Sequence, residues 1–190
     1  MVNSINNFRA NSYAQTNNTA QADKNTKTQA TDKDFENKVM KCVSAGGKRT
    51  LLCSDALMSY ASPQTGESIN IYKSDNYSKE NPVYIIKGLD RNGEEFEQEI
   101  DASTINPNYC SYNELMVLNI ETGHTSPSDY LHAVATRDKA GIGSFFDKED
   151  YIAAAGAVMH DHKVMGNWKG YLDYDKWISD ILDYYVKRAL

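Results

Sequence analysis

Four groups of side chains have the types and spacing that chemistry could use. The first is His160-Asp161-His162, the most ligand-like string in the chain. The surrounding pattern predicts a helix, and on a helix residues two apart stand about 200° apart around the axis. Such a pair does not share one metal ion; helical histidine pairs that do so sit four apart. His162 falls on the stripe Ile152, Ala155, Val158, Met159 and reads as a side chain at the core edge. His160 and His162 become metal candidates only if the helix stops before them.

The second group is Cys110 with His124 and His132. Cys110 stands just ahead of a capped helix, and a thiol near a helix N-terminus ionises more easily. A cysteine activated by a histidine is the pattern of a thiol hydrolase. No local signature surrounds Cys110, so this remains the alternative reading. The third group is Glu95, Glu97 and Glu99, on one side of one predicted strand, with successive carboxylates about 7 Å apart. That spacing suits the paired carboxylates of a glycosidase or a hard cation. A solvated sheet face has the same composition, and charge there discourages edge-to-edge aggregation. No Asp-x-Asp-x-Asp-Gly loop supports calcium.

The fourth group is aromatic. The chain holds 13 tyrosines, and Tyr171, Tyr174, Trp177, Tyr184 and Tyr185 crowd its end. Tyr and Trp supply contact area at small entropic cost. Tyr174, Trp177 and Tyr185 are the expected anchors of a binding surface. Two glycine strings read as turns. Gly46-Gly47-Lys48-Arg49-Thr50 lacks the spacing of a phosphate loop, and Gly141-Ile142-Gly143 has no strand before it.

The elements that must position these groups follow from periodicity. Phe35, Val39, Cys42 and Val43 fall at i, i+4, i+7, i+8 and predict a short N-terminal helix, capped by Thr31 or Asp32 and stopped by Gly46-Gly47. Residues 50–101 read as an antiparallel sheet of about four strands. Val83 to Leu89 is the strongest, Asn92-Gly93 is a hairpin signal, and Glu94 to Asp101 alternates Phe96 and Ile100 against the glutamates. The last ninety residues read as three or four helices. Ser111 with Glu114 forms a capping box, Ser126-Pro127 starts a second helix with Leu131, Val134 and Ala135 on its apolar stripe, and Asp147 caps a third. Tyr174, Trp177, Ile178, Ile181 and Tyr185 recur at helical spacing in the last. Strands first and helices after give an α+β fold, with residues 32–190 as a single domain.

Residues 1–31 differ in kind. Asn, Thr and Gln supply 15 of them, and the stretch carries +2 against −8 for the remainder. It reads as a disordered or loosely attached tail, with no apolar region of a secretory signal. Its opening, Met1-Val2-Asn3-Ser4-Ile5-Asn6-Asn7 through Ser12, resembles the Asn- and Ser-rich beginnings of flagellar axial proteins. That resemblance implies export without a cleaved leader, with the tail as an address. The rest of the chain has none of the long heptad-bearing helices of a flagellin.

Composition narrows the functions. Of 190 residues, 20 are Lys or Arg and 26 are Asp or Glu, for a net charge of −6. Nucleic-acid affinity comes from clustered basic residues, so a general nucleic-acid binder is not expected. No apolar run approaches the roughly 18 residues of a membrane span. Cys42, Cys53 and Cys110 form no disulfide framework, which fits a reducing, cytoplasmic setting. The sequence therefore predicts a non-enzymatic domain without a cofactor, acting through a protein partner or self-association. The alternative is a small hydrolase using Cys110 or the Glu95–Glu99 row.

Overall fold

The strongest strand signal builds the hairpin expected of it. Strand β5 is Val83–Leu89 and β6 is Glu95–Asp101, paired antiparallel from Val83↔Asp101 to Leu89↔Glu95. Gly93 turns the corner at φ +82°, a conformation that costs glycine nothing. The Asp90 carboxylate accepts from the Asn92 and Glu94 N–H groups at 2.8 and 2.9 Å and holds the turn. Before it come β3 (Met58–Ala61) and β4 (Ser68–Lys73), completing an antiparallel sheet in the order β3-β4-β5-β6. Tyr60, Ile69, Ile71, Tyr84, Ile86 and Ile100 are buried in the core.

This computed structural model describes residues 39–43, 49–141 and 143–189, which fall in one unit, Lys33–Leu190. The expected tail, 1–31, lies outside the described residues. So does the start of the expected N-terminal helix. Its end does not, and there the expectation is corrected: Val39–Val43 is a strand, β1, paired antiparallel with β2, Arg49–Cys53. A short apolar run fits either period, and the valines favour an extended chain once a partner strand is available. The hairpin attaches to the sheet through polar side chains. Leu51 N–H donates to Ser68 Oγ at 3.1 Å, Cys53 N–H to Asn70 Oδ1 at 2.7 Å, and Asn70 Nδ2 returns to Leu51 O at 3.1 Å. Two buried polar residues in β4 are thus satisfied by the backbone of β2.

After a 3₁₀ turn (Ala102–Thr104) and a short strand β7 (Cys110–Ser111), helix α1 runs Tyr112–Glu121. Ser111 and Glu114 form the expected capping box. Leu115, Met116, Val117 and Leu118 are all fully buried, so α1 is enclosed on every side, and its buried polar residues Asn113 and Asn119 are hydrogen-bonded. On one side Tyr60 donates to Asn113 Oδ1 at 2.7 Å and Tyr84 to Glu121 Oε2 at 2.5 Å. On the other, Trp177 Nε1–H donates to Asn119 Oδ1 at 2.8 Å.

Helix α2 is Pro127–Ala140, capped as expected by Ser126 and Asp129. Its expected stripe shifts, because Leu131 is exposed while Ala133, Thr136 and Arg137 turn inward. Arg137 lies 4.5 Å over the Phe145 ring and donates to Gly143 O at 2.7 Å. Helix α3, Tyr151–Val164, is capped by Asp150, three residues after the expected Asp147. Asp147 instead accepts from Ser144 N–H at 2.7 Å, closing the turn before β8, Lys148–Glu149. Helix α4 is Trp168–Ala189, 22 residues long. Among the described residues no helix is long and apolar enough to cross a membrane.

Candidate interaction site

Cys110 is fully buried, and its sulfur lies 3.9 Å from Pro107 O. Burial pushes the thiol well above its ordinary range; the Glu114 and Asp150 carboxylates add to this and Lys148 opposes it. The helix N-terminus that could have activated it is occupied by the Ser111–Glu114 capping box. His124 is committed elsewhere. Its Nδ1 is 3.2 Å from Asp129 Oδ1 and its Nε2 is 3.1 Å from Asp180 Oδ2, which ties the starts of α2 and α4's second half together. Burial acts against ionisation of Asp129, but the Ser126 hydroxyl and N–H and His124 outweigh it and lower the carboxyl. Asp180 is lowered first by the Lys176 ammonium and then by His124.

Glu95, Glu97 and Glu99 project from β6, the edge of the sheet, and all three are exposed. Glu97 pairs with Lys87 across the strands at 3.0 Å. Glu97 and Glu99 border a shallow cavity of about 480 Å³ with Tyr72, Ile85 and Lys87; Glu95 does not reach it. His160 is exposed, with Nδ1 4.0 Å from Asp161 Oδ1. His162 turns toward α4, accepts from Asn167 Nδ2 at 2.9 Å and lies tilted against the Tyr174 ring, with centroids 5.5 Å apart. The two rings stand on different faces of α3. Among the described residues, no three His, Cys, Asp or Glu side chains are placed to hold a metal ion.

Of the three aromatic anchors, two belong to the interior. Trp177 is 2% exposed and Tyr174 is equally buried; the Tyr174 hydroxyl donates to His132 O at 3.0 Å. The His132 and Tyr174 rings meet with centroids 4.3 Å apart, tilted by 51°, so α2 and α4 pack through these two rings. Burial lowers the His132 imidazole pKa, since a charged ring is disfavoured there. Tyr185 is partly exposed.

Most of the large exposed apolar side chains among the described residues lie on the opposite face of α4 and at the turn before it, while Leu57, Tyr109 and Leu131 stand apart. Val164 (71% exposed), Met165 (70%), Trp168 (58%) and Leu172 (60%) form one corner where α3 passes into α4. Gly166, at φ +70°, makes that turn. Gly170 then lets the helices approach, because a Cβ there would fall 2.6 Å from His162 Nδ1. A groove of about 410 Å³ between α2 and α3, floored by Ala135, Val158 and Met165, adjoins the corner. Lys139 and Asp161 pair across it at 2.7 Å, which holds the Asp161 carboxyl low. Sequence reading missed Trp168 and Leu172. The available signal was their spacing of four, out of phase with Tyr174, Trp177 and Ile181.

Reading by residue types alone also passed over Glu67. It is buried, and its carboxylate accepts from the Ser144 hydroxyl, from Phe145 N–H at 3.1 Å and from the Thr65 hydroxyl at 2.6 Å. These bonds pin the segment between α2 and α3 to the start of β4. The chain matches no protein-family model, no curated protein and no solved structure.

Proposed function

We propose that this α+β unit is a non-enzymatic protein-interaction domain, and that its binding surface is the outward face of α4 with the adjoining α3–α4 corner. One observation carries the reading: Val164, Met165, Trp168 and Leu172 fall within nine residues at the α3–α4 turn, and all are large, apolar and more than half exposed. Scattered single apolar residues on a surface are ordinary, but a cluster bearing a tryptophan marks a contact site. The binding helix expected from the sequence is retained, and the binding face moves around it by half a turn. The partner is a protein surface with its own apolar ridge.

The test is a photo-crosslinking residue at position 168 in cells that make the protein, with a second at the exposed Tyr109, distant in the chain, as reference. A discrete adduct from position 168, absent from position 109, is expected. No adduct from 168, or the same diffuse labelling from both, overturns the reading.

A further inference from the structure

The exposed seam of α4 reads Trp168, Leu172, Asp175, Ser179, Leu182, Val186, at spacings of four, three, four, three and four. That is the spacing of a packing seam between two helices. All are exposed except Leu182, which is partly buried. The order is apolar, apolar, polar, polar, apolar, apolar, so the seam reads the same by class from either end. A second α4 laid antiparallel about a two-fold axis sets Trp168 against Val186, Leu172 against Leu182 and Asp175 against Ser179. Each pairing then occurs twice, as a two-fold interface requires.

The flanking charges have the same symmetry. Lys169 and Asp183 are both exposed and border this seam on one side. In the antiparallel arrangement Lys169 of one copy faces Asp183 of the other, at both ends of the contact. Within one chain Lys169 already reaches Asp173 at 2.5 Å, and Lys176, at the centre, is paired with Asp180. The central lysines of two copies therefore meet with their charge partly compensated. The seam from Trp168 to Val186 is about 27 Å long at 1.5 Å per residue. Val164 and Met165 extend its apolar end around the corner.

The geometry points to a second copy of this chain as the occupant of that face, docked antiparallel along α4. This rests on the reading of α4 as a binding surface and names the partner. A contact of one helix pair is small beside a standard interface, so the dimer is concentration-dependent.

The test is sedimentation velocity of the full chain over a concentration series, with Lys169→Asp and Asp183→Lys measured singly and mixed. The wild type is expected to pass from monomer to dimer. Each single variant sets like charges together at both ends and is expected to weaken association at least tenfold. The mixture restores both pairs, because one protomer then carries two aspartates and the other two lysines. Circular dichroism of each variant checks that it folds. A wild type that stays monomeric throughout, or single variants that associate as the wild type does, overturns the inference. If the wild type is monomeric while position 168 crosslinks to a different protein, only the second-copy assignment fails. If position 168 crosslinks to nothing, the functional reading fails with it.

Discussion

The two tryptophans make opposite predictions. Trp177 is buried in the core and Trp168 lies on the surface, and the chain has no others. Trp177→Ala removes a packed indole, which costs about 3–5 kcal/mol in a core. It also leaves Asn119 Oδ1 without its 2.8 Å donor, at about 1–3 kcal/mol more. The sum, about 4–8 kcal/mol, is comparable to the ~5–15 kcal/mol by which such a domain is stable. At ~2–4 °C per kcal/mol for a chain of this size, the melting temperature should fall by about 8–32 °C, if the variant folds at all. Trp168→Ala removes surface contacts alone and should stay within about 0.5 kcal/mol, measured dilute so that association does not contribute. Thermal unfolding by circular dichroism gives both numbers. Each variant also leaves one indole as a fluorescent reporter, so Trp168→Ala should show the blue emission of a buried ring and a folded Trp177→Ala the red emission of a wet one. Equal melting shifts, or the two emissions reversed, would refute the assignment of inner and outer faces to α4.

Three further outcomes concern Glu67, Cys110 and the two aspartates on His124. Glu67→Gln keeps the shape and most of the bonds and should cost about 1–2 kcal/mol by urea unfolding, whereas Glu67→Ala orphans Phe145 N–H and Ser144 and should cost at least about 3 kcal/mol; equal costs would show that the carboxylate does not hold the 143–147 segment. Cys110 should react with a thiol reagent in the native protein only as fast as the domain opens, read by mass spectrometry; rapid labelling would restore the thiol-hydrolase alternative. Asp129 and Asp180 are both held below the usual carboxyl range, so the stability they contribute is complete above about pH 4 and is lost as pH falls through their folded values; Asp129→Asn with Asp180→Asn should flatten that acid limb, and an unchanged limb would contradict the two bonds to His124.

Local chemistry made much of the fold legible. Ser111 with Glu114 and Ser126 with Asp129 satisfy orphan backbone groups through neighbours three residues away, so these helix starts follow from sequence alone. The β5–β6 hairpin carries its own turn and its own alternation. Legibility ended where tertiary contact decides. Val39–Val43 takes the extended form because β2 lies beside it, and no period in five residues contains that fact. Asp147 and Asp150 are equally good caps, and Ser144 N–H takes the first of them. Helix α4 has large apolar residues on two faces. Its inner face buries Tyr174, Trp177, Ile178 and Ile181, and Asn119 on the buried helix α1 accepts from the Trp177 indole, a partner 58 residues away in the chain. Glu67 could not be read as a latch, because its partners lie 77 and 78 residues further along the chain.

On the proposed function, the outward face of α4 is covered when the protein acts. Hydroxyl-radical footprinting of the native chain, dilute and purified against concentrated in the cell, tests it without any substitution. Trp168, Leu172 and Val186 are expected to lose reactivity in the cell while the exposed Tyr109 keeps its own. Undiminished oxidation of all three α4 residues in both settings would contradict it.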